Sequence, residues 1–127
     1  MPKIPPRPEI VSHPVYQATM AAQHIAYQLM REVPPDRKAE ATRLHVATVH
    51  ATTYATYALD PEEPRRPARY RDLAASAAEA KERLQPLRHL AKDARDAEVL
   101  EEKLDEIVRA AREGEDALGA SSRTPAA

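Results

Sequence analysis

Residues 97–118 read AEVLEEKLDEIVRAAREGEDAL, and this stretch carries the clearest helical pattern in the chain. Its small and apolar residues recur at alternating steps of three and four: Ala97, Leu100, Leu104, Ile107, Ala111, Gly114 and Leu118. A seven-residue repeat of this kind is typical of a helix that buries one stripe against other helices. The stretch therefore predicts a long amphipathic helix, and Gly119 is expected to end it.

Three earlier stretches show similar spacing and are separated by clusters of proline. The first predicted helix follows an N-cap at Ser12, and the second follows an N-cap at Asp36. The third runs from about residue 68 to residue 94, and Pro86 is expected to kink it rather than end it. The positions expected to face the core are Val15, Tyr16, Thr19, Met20, Ala22, Ala26, Leu29, Met30 and Val33; then Leu44, Ala47, Ala51, Tyr54 and Ala58; then Leu73, Ala77, Ala80, Leu84, Leu87, Ala91 and Ala94.

Four helices of similar length with short connections predict an all-α fold, an antiparallel up-down four-helix bundle. The bundle is expected to span residues 12–118, between a proline-rich arm at 1–11 and a flexible tail at 119–127. The break between the third and fourth helices falls within residues 90–98. A length of 127 residues suits a single domain. With two Gly and no Asn-Gly or Asp-Gly turn, an all-β fold is nearly excluded.

Composition and charge both favour self-association. The chain contains 25 Ala and five Tyr but no Phe or Trp, so its helix seams bury little apolar area. Residues 96–116 hold nine acidic residues against three basic ones, a net charge of −6, and the remaining 16 basic and 11 acidic residues give +5. We expect a homo-oligomer in which the acidic helix faces a basic surface of a neighbour. The alternative is an ordinary solvated helix face.

Several classes of protein are disfavoured. Without Cys, the chain has no disulfide, thiolate nucleophile or cysteine zinc site. It has neither an apolar run long enough to span a membrane nor the apolar core of a signal peptide, so a soluble, cytoplasmic protein is expected. His45 and His50 are five residues apart rather than four, and no HExxH motif occurs. No metal or cofactor is therefore expected.

Basic residues form the candidate nucleic-acid-binding site. One group surrounds Tyr70 in RRPARYR, residues 65–71, where the arginines would neutralise phosphates and the ring would stack on an unpaired base. The other group lies at the start of the second helix, where cations face the positive end of the helix dipole and gain no local stabilisation. The candidate residues are Arg37, Lys38, Arg43, Arg65, Arg66, Arg69 and Arg71. The alternative for the first group is a solvated loop.

A polar stripe follows the second helix. Thr48, Thr52 and Thr56 are spaced four apart, and His45 lies on the same side. This stripe is interpreted either as the flank of a buried helix or as a polar subunit contact or pore lining.

The best enzyme alternative is a ribonuclease of the HEPN type, which is also a four-helix bundle and uses an Arg-x4–6-His motif. Arg83 and His89 fit that spacing, with His as a general base and Arg stabilising phosphate charge. Leu84 replaces the usual polar residue, and Pro86 lies inside the motif. No Gly-rich phosphate loop or nucleophile elbow occurs. We therefore expect no enzyme and no catalytic residue.

Residues 13–38, HPVYQATMAAQHIAYQLMREVPPDRK, resemble the opening of a four-helix-bundle family. The family contains the rRNA intervening-sequence proteins and Avd, the accessory variability determinant of diversity-generating retroelements. LRHLAKDARD at 87–96 and EIVRAA at 106–111 are similar to later parts of the family pattern. Val33 stands where the family has an aromatic residue, and Val108 where it has Gly.

The resemblance implies a ring-shaped homopentamer of four-helix bundles. It also implies a non-enzymatic accessory protein that binds RNA or DNA, a reverse transcriptase, or both, as Avd does. A purely structural or protein-binding ring is the further alternative.

Overall fold

The computed structural model describes residues 7–123, and it describes the side chains of residues 7–120. Within this range the regular secondary structure is helical and no strand occurs. The α-helices are α1 (Pro8–Val11), α2 (Pro14–Glu32), α3 (Lys38–Ala58), α4 (Arg66–Leu84) and α5 (Ala94–Arg123). Two 3₁₀ segments, Pro35–Arg37 and Gln85–Leu90, precede α3 and follow α4. The predicted all-α class is confirmed.

Proline sets the helix boundaries more closely than the predicted caps do. The N-cap of α2 is His13, whose Nδ1 accepts a hydrogen bond from the Val15 amide at 3.1 Å. Ser12, the predicted cap, instead ends α1. Asp36 lies inside a 3₁₀ segment, and Arg37 occupies the N-cap position of α3. Both predicted caps are therefore wrong. Pro14 begins α2, and Pro35 begins the 3₁₀ segment that contains Asp36 and precedes α3.

Pro86 ends α4 instead of kinking it. A proline lacks the amide hydrogen that an α-helix needs, and its ring clashes with the carbonyl one turn earlier. The chain therefore passes at Leu84 into the 3₁₀ segment Gln85–Leu90. Leu87 is still fully buried there, whereas Ala94, a predicted core position, is exposed at the start of α5.

The two ends of the chain also differ from expectation. The helix α5 continues through Gly119 to Arg123, so Gly119 does not end it. Within the predicted arm, α1 buries Ile10, and Arg7 forms an ion pair with Glu62 at 2.7 Å. Residues 1–6 of the predicted arm and 124–127 of the predicted tail lie outside the described residues.

The four long helices pack around one hydrophobic core. α2 contacts α3 and α5, and α4 contacts the same two helices. The largest fully buried apolar side chains are Leu44, Leu73, Leu84, Leu87, Leu100, Leu104 and Ile107. Leu84 and Leu104 are thus in the core as predicted. The core of α2 and α3 is mostly alanine, which allows close helix approach but buries little area per residue.

The burial of two larger residues, Met20 and Tyr70, differs from what the sequence predicts. Met20 was expected to face the core but is 40% exposed. Tyr70 is buried against α5, where a Cβ on Gly114 would lie only 2.5 Å from two ring atoms of Tyr70. Gly114 therefore makes room for this ring. Among the described helices, none is long and apolar enough to cross a membrane.

Candidate binding surfaces

The seven predicted nucleic-acid-binding residues do not form one patch. Arg37 and Lys38 lie where α3 begins, and Arg43 lies just over one turn further along it. Arg65 to Arg71 lie beyond the other end of α3, at the start of α4. A helix of 21 residues is about 32 Å long, so α3 separates the two groups by roughly that length.

Two of the seven cations cap the carbonyl ends of preceding helices. The Lys38 ammonium donates hydrogen bonds to the carbonyls of Met30 at 2.7 Å and Arg31 at 3.0 Å, near the end of α2. The Arg66 guanidinium donates to the carbonyl of Ala58, the last residue of α3, at 2.7 Å. A helix C-terminus carries partial negative charge, so a cation stabilises it. The expectation that cations at the start of α3 gain no local stabilisation is therefore wrong.

Arg37 is held within the same end of the molecule. Its guanidinium forms an ion pair with Glu40 at 2.9 Å and donates to the carbonyl of Pro86 at 3.1 Å. The hydrogen bond that Arg37 donates to the Glu40 carboxylate raises the pKa of Arg37 above its usual value. Arg37 thus links the start of α3 to the segment that follows α4.

At the other end, acidic side chains accompany two more arginines. Arg69 lies 3.6 Å from Glu63 and 3.7 Å from Asp72. Arg71 forms an ion pair with Glu115 of α5 at 2.6 Å, although its side chain is 61% exposed. These pairings reduce the positive potential that the arginine-rich sequence predicts.

Arg43 and Arg65 have exposed side chains without a partner in the described part of the chain. Tyr70 is 7% exposed, so the predicted stacking of a base on this ring is wrong. Tyr57, at the end of α3, is 44% exposed, and the Arg69 guanidinium lies 5.1 Å from the centre of its ring. Tyr57 is therefore the better candidate for stacking, and sequence reasoning missed it.

The acidic helix is partly neutralised within the chain. Lys81 forms an ion pair with Asp105 at 2.8 Å, and the hydrogen bond that its ammonium donates to the Asp105 carboxylate raises the pKa of Lys81. Arg88 pairs with Glu101 across the same side of α5. Basic residues of α4 and the following 3₁₀ segment thus neutralise part of the acidic helix, which a neighbouring subunit was expected to do.

The exposed sides of α2 and α3 form what we call the uncharged face. No Asp, Glu, Lys or Arg occurs between Pro14 and Met30, or between Leu44 and Ala58. Large apolar and aromatic side chains on these helices are nevertheless 40–44% exposed. These residues are Met20, Tyr27, Val46 and Tyr57. The sequence shows the absence of charge. The exposed face was nevertheless not predicted, because the helical pattern placed Met20 in the core.

A shallow groove lies between α2 and α3 on the uncharged face. It has a volume of about 340 Å³ and is lined by Met20, Gln23, His24, Tyr27 and His45. The rings of Tyr27 and His45 lie 5.5 Å apart at a tilted angle. The Thr52 hydroxyl donates to the Gln23 side-chain carbonyl at 2.9 Å and so links the two helices beside the groove.

The predicted threonine stripe lies mainly on the flank of α3 that faces α2. Thr48 is fully buried, and its hydroxyl donates to the carbonyl of His45. Thr52 bonds to Gln23 as described above. At Thr48 a subunit contact or pore lining is therefore wrong, because the chain itself covers the side chain.

The candidate ribonuclease motif is divided between two elements. Arg83 lies in the last turn of α4 and pairs with Glu79 at 3.6 Å. His89 is exposed in the 3₁₀ segment after Pro86. A cavity of about 310 Å³ beside Arg83 is lined by Glu40, Glu79, Glu82 and Pro86, but not by His89. Within residues 7–123, no cluster of three or more His, Asp or Glu residues is placed to hold a metal ion.

Comparison of the chain with protein-family models, with curated proteins and with solved structures returns no match.

Proposed function

We propose that this protein is a non-enzymatic, self-associating helical adaptor that acts by binding other macromolecules. The uncharged face is the observation that carries this proposal. Monomeric proteins rarely leave large contiguous apolar patches in contact with water, and such patches mark interaction sites. Here two adjacent helices present four large apolar or aromatic side chains without a single charged residue along most of their length.

The proposal includes the finer architecture that the resemblance implies. The four long helices would run antiparallel, and copies of the bundle would form a closed homo-oligomer, most simply the pentamer of the intervening-sequence and Avd family. A cytoplasmic location belongs to the same proposal. The alanine-rich packing of α2 and α3 supports it, because such a bundle gains stability when a second apolar surface is covered.

Light scattering coupled to size-exclusion chromatography tests this proposal. The expected result is a particle whose mass is a multiple of the 14.1 kDa chain. A monomer at the highest concentration that remains in solution would contradict the self-association.

Binding of RNA or DNA, in the manner of an accessory factor for a reverse transcriptase, is the second candidate. Arg65 is exposed and its side chain has no partner among the described residues, Arg71 is 61% exposed, and Arg69 stacks on the exposed ring of Tyr57 at the same end of the molecule. Arginine and an accessible aromatic ring together suit a flexible single strand.

A filter-binding titration with single-stranded RNA and DNA at increasing salt tests this candidate. The double variant Arg65→Ala/Arg71→Ala is expected to weaken binding, and each lost phosphate contact lowers the log–log salt slope by roughly one. The matched control is Arg109→Ala/Arg112→Ala, which removes two exposed arginines from the acidic helix. Equal effects of the two double variants would contradict a site at Arg65.

The integrity of the RNA in the same samples tests the enzyme alternative. If the protein cleaves RNA and His89→Ala abolishes cleavage while binding persists, a ribonuclease replaces the adaptor. Intact RNA throughout the incubation is the result that the adaptor proposal requires.

A further inference from the structure

A second seven-residue repeat follows the outer side of α3. It consists of Thr42, Val46, Val49, Thr53 and Thr56, which step by four, three, four and three. We call these residues the outer row. At 3.6 residues per turn, the outer row points away from the buried residues of the same helix. Its members are exposed or half-buried, and Val46 is 42% exposed.

The threonine hydroxyls of the outer row are satisfied within α3. Thr42 donates to the carbonyl of Lys38 at 2.8 Å, Thr53 to that of Val49 at 3.2 Å, and Thr56 to that of Thr52 at 3.0 Å. Bonding to the preceding turn is a common alternative to solvation for a helical threonine. Because these donors already have acceptors, covering the row leaves no hydroxyl hydrogen unpaired, and such an unpaired donor is what makes burial unfavourable.

The outer row therefore behaves as a stripe of β-branched apolar groups. Repeats of β-branched residues at this spacing are typical of seams between packed helices. His50 and Tyr57 lie beside the row, and the exposed Arg43 lies beside its first residue. From Leu44 to Ala58 no Asp, Glu, Lys or Arg of α3 borders the row. The complementary surface must likewise be uncharged, since a charge placed against this row would lose its hydration without a partner.

Only one side of the chain itself offers such a surface among the described residues. The exposed sides of α4 and α5 alternate acidic and basic residues, many of them paired with each other. The uncharged face of α2 and α3 is thus matched by the same face of another copy.

The size of the uncharged face is adequate for association between copies. α2 and α3 have 19 and 21 residues, so they extend about 28 and 32 Å. Two such helices side by side, each about 10 Å across, present roughly 600 Å². Stable interfaces bury about 800 Å² per partner, and accessible area exceeds the projected area of a corrugated surface. The face is therefore close to the size that a specific contact needs.

We propose that the outer row of α3 packs against the uncharged face of a second copy of this chain. The inference rests on the self-association proposed above, and it names the surface responsible. The contact surface is then not the acidic helix, which charge composition alone suggests, but α3, whose outer side carries no Asp, Glu, Lys or Arg from Leu44 to Ala58.

A pair of matched valine substitutions tests the row. Val46→Glu places a carboxylate in it, and Val11→Glu places the same group on α1, where the valine is 39% exposed. Glutamate is a better helix former than valine, so α3 is expected to persist in the first variant, as circular dichroism can check. For Val46→Glu, the concentration at which half of the assembly dissociates is expected to rise roughly tenfold or more. Val11→Glu is expected to match the parent protein.

The outcomes separate this inference from the proposed function. A parent protein that is monomeric overturns both. A parent protein that assembles, with Val46→Glu assembling equally well, overturns the role of the outer row and leaves the adaptor intact. Equal dissociation of both valine variants also overturns the role of the row, because the effect would then depend only on added charge.

Cross-linking gives a second measurement that does not depend on destabilising the contact. The chain has no Cys, so Thr53→Cys introduces a single thiol in the row and Ala75→Cys a single exposed thiol on α4. A short bismaleimide is expected to give a band at twice the chain mass in several times higher yield for Thr53→Cys. Equal yields would overturn the proposed surface.

Discussion

The half of the molecule built from α2 and α3 differs from the half built from α4 and α5 both inside and outside. α4, α5 and the segment between them bury most of the large aliphatic side chains: Leu73, Leu84, Leu87, Leu100, Leu104 and Ile107. Their outer surface is rich in ion pairs. α2 and α3 bury mainly alanine and threonine and carry no charge along most of their length.

The contrast indicates which half supplies most of the stability and which half is suited to interaction. Buried apolar area stabilises a fold in proportion to its size, so the leucines of α4 and α5 contribute more than the alanines opposite them. A charged surface keeps one half solvated, whereas the uncharged half is the part that gains from being covered. The four predictions below test this contrast, starting from the largest expected effect.

Removal of a large core side chain from α5 is expected to have the greatest effect on stability. Leu104→Ala should lower the free energy of unfolding by about 2–5 kcal/mol, because the side chain is fully buried and leaves a cavity. Ala51→Gly in the core of α3 should cost only about 1 kcal/mol. Urea unfolding followed by circular dichroism measures both. Equal losses would show that the two halves do not differ in this way.

The contact between Gly114 and Tyr70 is expected to be the next most sensitive. Gly114→Ala should destabilise by about 1–3 kcal/mol, since the new methyl group would overlap the ring of buried Tyr70. Helix propensity alone would make this change stabilising. The sign of the change in the free energy of unfolding therefore shows whether the overlap with Tyr70 or the helix propensity of alanine dominates. In the double variant Gly114→Ala/Tyr70→Leu, the cost of the alanine should largely disappear. A higher melting temperature for Gly114→Ala would contradict the close packing.

The hydrogen bond between α2 and α3 should contribute moderately. Thr52→Val removes the donor to Gln23 and should lower the free energy of unfolding by about 0.5–1.5 kcal/mol. Thr53→Val is the matched control, because the Thr53 hydroxyl bonds only within α3 among the described contacts and valine keeps the β-branched shape of the outer row, so the change should stay within about 0.5 kcal/mol. Thermal unfolding of both variants at equal concentration makes the comparison. A larger loss for Thr53→Val would be the opposite of what the structure requires.

The ion pair between α4 and α5 is expected to have the smallest effect. A double-mutant cycle with Arg71→Ala and Glu115→Ala should give a coupling free energy of about 0.2–1 kcal/mol, because the Arg71 side chain is 61% exposed. Added salt should reduce the coupling by screening. A coupling well above this range that persists in high salt would show that these ion pairs, and not the leucines, hold α4 to α5.

The local sequence pattern was sufficient to predict where the long helices lie, but it did not predict where they begin and end. The repeat from Ala97 to Leu118 predicted α5, and the leucines at 84 and 104 were correctly placed in the core. The failures occurred where two local rules compete. At Pro86 the seam pattern continues while the backbone cannot, and the backbone wins because a missing amide hydrogen cannot be replaced.

The amino-acid sequence was enough to predict the all-α class and the approximate positions of the four long helices, and it shows that most of α2 and α3 carries no charge. These properties depend on residues that are near each other in the chain, such as the steps of three and four along one helix. Which cations are available to a partner depends on how the helices pack. Lys38 and Arg66 end up on the carbonyl termini of preceding helices, and Arg71 meets an acid 44 residues away. Whether a cation is paired in this way depends on distances between helices. Those distances are fixed only when the helices pack, so residue type alone cannot predict them.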